Sequence, residues 1–458
     1  MFIPSLLIIL FVLFFGVTFW WVLKRKDELF LFFYGYLFIY TIFTQIGYAF
    51  FPDPAIKLRV YFGPELFYSY WVFVFCSFAA IVGLYLLWPA LIGRRKTIVE
   101  LDLTSSFGSR VPFLFAISSF VAILINLFYW DFEGIRYAST DSVLVGYLVN
   151  LQPVVLLIIY MDLRRSKTTV NQKLFVGLVA ALAGFMFVII SVRAGQRLAS
   201  LALLTGIAAF EFSTFKTMLA KYRDTLKTIF NARVIVLVLV AVIFLGFAGR
   251  IVSLREQHGG AVPIEALLDI WPDKNSSSSL TLEQLMYQDY FAPSSLLFVS
   301  MATGWIDPGE VFRSNVYNAI PFTGYPYLQN ILSDAANPIG YSRTESYGYY
   351  ILNEGFNSVG WFGILYNALM VNLGLGLWRW FATSRDPRVT ERVTAVLCLL
   401  IVGLVRGPSV FFIRYIYLTI LPAVGLVWLS VGYYPGRTIS TRKSPSRQLR
   451  QAPSVFAR

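Results

Sequence analysis

Residues 2–26 read FIPSLLIILFVLFFGVTFWWVLKRK. Positions 2–23 carry no charge, and a helix over them would be about 33 Å long, enough to cross a hydrocarbon core of about 30 Å. Lys24-Arg25-Lys26 close the run at once, as basic residues do where a span meets the cytoplasm. Met1 to Pro4 hold no basic residue, and no small-residue cleavage site follows, so the run reads as a retained first helix and not as a signal peptide.

The same pattern recurs along the chain. Candidate spans are 2–23, 29–51, 67–92, 111–130, 144–162, 174–192, 198–214, 234–251, 358–381, 393–407 and 410–432. They are continuously apolar and do not alternate with period two, which favours helices over a barrel. The expected fold is therefore all-α, a polytopic integral membrane protein of about eleven transmembrane helices. The tenth span is short, and Arg406-Gly407-Pro408-Ser409 makes a tight hairpin to the eleventh. Composition agrees: 57% of residues are hydrophobic and only 14% charged, far from the roughly one quarter charged of a soluble domain. Cys76 and Cys398 both fall inside spans, so no disulfide framework is implied.

Basic residues set the orientation. With the N-terminus outside and the C-terminus inside, 26 of the 38 Lys and Arg face the cytoplasm, with 9 of the 25 Asp and Glu. The formal charge is then +17 inside and −4 outside. The net +13 thus reflects topology and attraction to anionic lipid, and no nucleic-acid partner is expected.

Four regions follow. Helices one to eight occupy 1–251, and 252–357 form a large external loop. Helices nine to eleven occupy 358–435, and 436–458 form a basic tail that reads as disordered. The external loop is far longer than two helices need. Within it, 261–270 and 281–303 are candidates for short, partly interfacial helices.

Polar groups collect on the outward side. Ser191-Val192-Arg193-Ala194-Gly195-Gln196-Arg197 is a short turn between spans six and seven. Arg193 and Arg197 are four residues apart and would share a face if the seventh helix begins early. Arg250, Arg255, Glu256 and His258 follow the eighth span. Tyr341-Ser342-Arg343-Thr344-Glu345-Ser346-Tyr347-Gly348 precede Asn353-Glu354-Gly355-Phe356-Asn357-Ser358-Val359-Gly360-Trp361-Phe362-Gly363, which lead into the ninth span. Arg406 and Arg414 flank the last outward hairpin.

Arginine grips phosphate well, because its planar fork of donors stays charged and can bind two oxygens. Arginines at helix ends equally snorkel to lipid headgroups, and both readings stand. His258, the only histidine, can serve as a general base or be an ordinary loop residue beside Gly259-Gly260. Glu345 and Glu354 are rival bases, or salt-bridge partners of the arginines. Asparagine amides such as Asn353 and Asn357 suit sugar hydroxyls, and the glycines permit close helix packing. Glu211 and Asp162, near cytoplasmic helix ends, read as structural and not as a proton relay. No phosphate loop, HExxH or paired CxxC occurs, so no metal site or cofactor is expected.

Together these elements resemble the oligosaccharide repeat-unit polymerases, the Wzy-type O-antigen polymerases. The Ser191–Arg197 turn is similar to that family's S-x-R-x-G-x-R-like element. The large outward loop is similar too, with Ile320-Pro321 in its second half. Glu354, Asn357, Gly360 and Gly363 occupy the places of an E-x-x-x-N-x-G-x-x-G run into a helix, with the asparagine–glycine spacing a residue looser. The resemblance implies a glycosyltransferase of the bacterial inner membrane that joins undecaprenyl-diphosphate-linked units with inversion and without metal. It implies Arg193, Arg197 and Arg343 on the diphosphate, and Glu345, Glu354 or His258 as base. Arg250, Arg255, Arg406, Arg414, Asn353, Asn357 and Tyr347 become the substrate contacts. Partners would be membrane lipid, the lipid-linked oligosaccharide, a chain-length regulator and a flippase. Two rivals remain: an O-antigen ligase using the same donor, and a transporter or flippase, which would need mid-membrane polar groups and repeated halves.

Overall fold

The computed structural model describes residues 2–25, 27–50, 64–87, 143–165, parts of 170–187, 197–221, 297, 300–301, 307–320, 350–383, 387–405, 407 and 409–431. All regular structure among them is helical. In chain order the helices are α1 (Phe2–Arg25), α2 (Glu28–Phe50), α3 (Pro64–Leu87), α4 (Val143–Arg165), α5 (Arg197–Lys221), α6 (Pro308–Ala319), α7 (Ile351–Val359), α8 (Gly363–Ala382), α9 (Pro387–Val405), α10 (Phe411–Tyr415) and α11 (Leu421–Val431). The expected spans at 111–130 and 234–251, most of 174–192, and the tail lie outside the described residues.

Among the described residues, four apolar runs are long enough to cross a membrane: Leu6–Arg25, Tyr68–Leu87, Ile351–Ala382 and Phe411–Trp428. The third is not one helix. Asn367 Nδ2 donates to Leu352 O at 3.0 Å, whereas fifteen residues of continuous helix would hold them about 22 Å apart. The chain reverses at Gly360, whose φ of 60° and ψ of −130° suit glycine alone. A short 3-10 turn, Gly360–Phe362, follows, and α8 then supplies the spanning length. The apolar helix that the sequence reading starts at 358 thus begins at Gly363, five residues later.

Two glycines make the reversal possible. A Cβ at Gly355 would lie 2.6 Å from both Gly363 O and Asn367 Cγ, and one at Gly363 would fall among the backbone atoms of Gly355. Here α7 and α8 touch backbone to backbone.

The centre of the body is α9. From Val393 to Val405 most of its side chains are buried, and it packs against α2, α4, α5, α8 and α11. A helix apolar on every side is what a central position requires. Aromatic rings fill the α1–α3 side: Phe15 stacks on Phe38 at 3.7 Å, and Phe30 on Tyr85 at 3.7 Å. The last run is also irregular, with a π-helical segment at Ile416–Ile420 joining α10 to α11. Ile416 N–H bonds to Ile413 O, and the indole of Trp378 donates to Phe412 O at 2.9 Å, so α8 satisfies a carbonyl that the irregular turn leaves.

Three ion pairs between elements gather at one end of the body. Arg379 meets Asp27 at 2.6 Å, and Asp27 also accepts from Phe30 N at 3.2 Å, capping α2. Arg25 donates to Leu86 O at 3.0 Å, and the guanidiniums of Arg25 and Arg379 both lie over the ring of Tyr85. Arg392 pairs with Asp162 at 2.6 Å, the two side chains 4% and 1% exposed. Glu211 accepts from Arg164 Nε at 3.1 Å and Tyr160 OH at 2.7 Å. Asp162 and Glu211 are thus tied into helix-to-helix pairs. Arg25, Arg164, Arg379 and Arg392 share this end.

Candidate functional site: a buried carboxylate and amide cluster

Away from the paired arginines, α7 lies against α6, α8 and the hairpin before α10. Every residue from Ile351 to Asn357 is buried, three of them polar: Asn353, Glu354 and Asn357. A nine-residue helix cannot cross a bilayer, so its burial comes from neighbours packed on all sides.

Glu354 is the node. Its Oε1 accepts from Asn315 Nδ2 at 2.6 Å, Tyr366 OH at 2.7 Å and Ser409 Oγ at 2.7 Å. Its Oε2 accepts from Ser409 N–H at 2.5 Å. These donors come from α6, α8 and the turn between α9 and α10, so one carboxylate joins four elements. A carboxylate has about four lone-pair positions, and four donors leave little accepting capacity for a substrate proton. Glu354 is built to hold the site together more than to act as its base.

The amides differ. Asn357 Nδ2 donates to Asn353 O at 3.0 Å and to Ser300 Oγ at 3.2 Å. Both ends of the Asn353 amide, and Oδ1 of Asn357 and of Asn315, are buried without a hydrogen-bond partner among the described residues. Such groups cost about 1–3 kcal/mol each when nothing satisfies them, and they suit a ligand or water that brings its own donors and acceptors. Asn353 and Asn357 stand one helical turn apart, so they share a face of α7.

Beside the cluster, Thr41 and Tyr350 bond hydroxyl to hydroxyl, linking α2 to the start of α7. Phe356 and Trp361 both pack edge-on to Phe73 of α3, at 5.4 Å and 5.8 Å.

Of the candidate residues read from sequence, the structure brings together Asn353, Glu354 and Asn357. Arg414 is half-buried on α10, five residues beyond Ser409, and α10 packs on α6. Arg197 opens α5. Arg193, Arg250, Arg255, His258, Arg343, Glu345, Tyr347 and Arg406 lie outside the described residues. Sequence reasoning does not single out Asn315, Tyr366 or Ser409: each is an ordinary polar residue in its own segment, and only the fold joins them. The four motif positions each have a physical job. Glu354 gathers donors, Asn357 ties Ser300 to α7, Gly360 makes the turn and Gly363 admits the close approach.

Among the described residues no group of three or more His, Cys, Asp or Glu could hold a metal ion. The chain matches no protein-family model, no curated protein and no solved structure.

Proposed function

We propose that this chain is a membrane glycosyltransferase that polymerises undecaprenyl-diphosphate-linked oligosaccharide repeat units at the outer face of the bacterial inner membrane. The product would be O-antigen, capsule or exopolysaccharide. The observation that carries the reading is the buried amide pair Asn353 and Asn357, with hydrogen-bonding capacity unspent among the described residues, braced by Glu354 at the end away from the paired arginines. It falls in the run, 346–363, that resembles the polymerases.

In the proposed reaction a hydroxyl of the incoming unit attacks the anomeric carbon of the growing chain. The new glycosidic C–O bond forms as the bond to the diphosphate breaks, and undecaprenyl diphosphate leaves with the electron pair. Arg193, Arg197 and Arg343 would stabilise that charge, commonly the largest catalytic contribution. Glu345 or His258 would take the hydroxyl proton. Arg250, Arg255, Arg406, Arg414 and Tyr347 would contact the lipid-linked substrate. Asn353 and Asn357 would hold sugar hydroxyls on the wall that Glu354 fixes. In this reading the N-terminus is outside, the C-terminus is cytoplasmic, and a chain-length regulator and a flippase work beside the enzyme.

A glycan gel of a deletion strain against its parent tests this. Polymerase loss leaves glycans stopped at one repeat unit, restored by the wild-type gene and not by Arg193→Ala or Arg343→Ala. Undecorated core with accumulated long chains would mean a ligase instead. An unchanged ladder would remove the glycosyltransferase reading.

A further inference from the structure

Helix α6 is built inside out for a helix in water. Its inward residues are Val311, Ser314, Asn315 and Asn318, mostly polar, and Asn315 donates to the buried Glu354. Phe312, Val316, Tyr317 and Ile320 are exposed, Phe312 at 69%. A helix on an aqueous surface shows the reverse, apolar side in and polar side out. The inversion fits a helix with protein on its polar side and hydrocarbon on the other.

Charge along α6 points the same way. Asp307, Glu310 and Arg313 all lie in its first half, and no charge follows up to Ile320. Asp307 caps the helix by accepting from Gly309 N–H at 2.9 Å. Arg313 reaches back toward that end: its Nε donates to Gly309 O at 3.2 Å, and its Nη2 lies 3.8 Å from Asp307. A long basic side chain that turns to the charged end of an otherwise apolar face behaves as one that snorkels out of lipid. Twelve residues give a length of about 18 Å, enough to pass from headgroups into acyl chains. Val359, Trp361 and Phe362, the last 80% exposed, add apolar surface at the α7–α8 turn.

We infer that α6 is inserted in the membrane leaflet at the end of the bundle away from the Arg379–Asp27 pair. Phe312, Val316, Tyr317 and Ile320 contact lipid acyl chains there, and α6 forms the lipid-facing wall of the Glu354 cluster. A polar site is then separated from hydrocarbon by the thickness of one helix, at membrane depth, within a stretch of sequence that reads as an external loop. The inference stands on the polarity of α6 and does not need the glycosyltransferase reading.

Spin labels test it in the full-length chain, with Cys76→Ser and Cys398→Ala removing the native thiols. Phe312→Cys, Val316→Cys and, as reference, Pro308→Cys are labelled and reconstituted into phosphatidylethanolamine–phosphatidylglycerol bilayers. Collisions with dissolved oxygen and with a water-soluble nickel chelate are then compared. Labels at 312 and 316 should favour oxygen over the chelate several-fold relative to 308. Chelate access at 312 and 316 equal to that at 308 would put α6 in water. Exclusion of both reagents would mean that protein covers this face. Either result overturns the inference, and Ile320→Cys reads the same face should Phe312→Cys fail to accumulate.

Discussion

Ser409 donates twice to Glu354, through its backbone N–H to Oε2 at 2.5 Å and through its hydroxyl to Oε1 at 2.7 Å. Through this pair the hairpin between α9 and α10 is fastened to α7, and Asn315 and Tyr366 complete the node. Replacing the carboxylate by an amide sets an NH2 group against donors already in place. Glu354→Gln should therefore cost about 1–3 kcal/mol, more than Ser409→Ala, which deletes one donor of four and should cost about 1 kcal/mol. Thermal unfolding of both variants in one detergent checks the order. Equal losses would mean that the carboxylate's charge is not what the node depends on.

Gly363 and Gly355 set up a second prediction. A methyl group at position 363 would overlap the Gly355 backbone, which no side-chain rotation can relieve. Gly363→Ala should open the α7–α8 hairpin and cost more than the roughly 1–3 kcal/mol usual for overpacking. Gly425→Ala is the control: a Cβ added there would have nothing among the described residues within 4 Å, and a helical alanine should stabilise by up to about 1 kcal/mol. Yield and monodispersity after extraction report the difference, and wild-type behaviour of Gly363→Ala would show that the two helices are not in backbone contact.

Arg392 and Asp162 are nearly inaccessible and pair at 2.6 Å. Removing one partner strands a buried charge, so Arg392→Ala or Asp162→Ala should each cost about 3–5 kcal/mol. The double variant should lose clearly less than the two combined, because it leaves no orphan. Additive losses in a thermal double-mutant cycle would contradict the pairing.

Much of this architecture is visible in uncharged runs. Residues 2–23, 29–51 and 67–92 read as helices because no charge interrupts them, and helices stand at Phe2–Arg25, Glu28–Phe50 and Pro64–Leu87. The break at Gly360 is hidden in the sequence, since Val359-Gly360-Trp361-Phe362 is as apolar as the span it precedes. Only the spacing of Gly355, Gly360 and Gly363 hints at a turn with a tight crossing. Helix α6 is hidden for the opposite reason. Its inward side is polar, so hydropathy gives no sign of a packed helix at Pro308–Ala319, although Asp307-Pro308 is a fair cap and first-turn signal. Asn353, Glu354 and Asn357 are legible as candidates because amides and a carboxylate beside glycine are conspicuous before an apolar run. Their donors are not legible. Asn315 and Ser409 lie 39 and 55 positions from Glu354, and no local pattern joins them.

The most direct measurement of the proposed chemistry uses purified protein in liposomes, supplied with undecaprenyl-diphosphate-linked repeat units and no divalent metal. We expect glycans longer than one unit to appear together with free undecaprenyl diphosphate, one lipid released per bond formed, and Arg193→Ala to abolish both. Repeat units that stay monomeric, with no lipid diphosphate released by a folded and membrane-inserted wild-type protein, would contradict a polymerase.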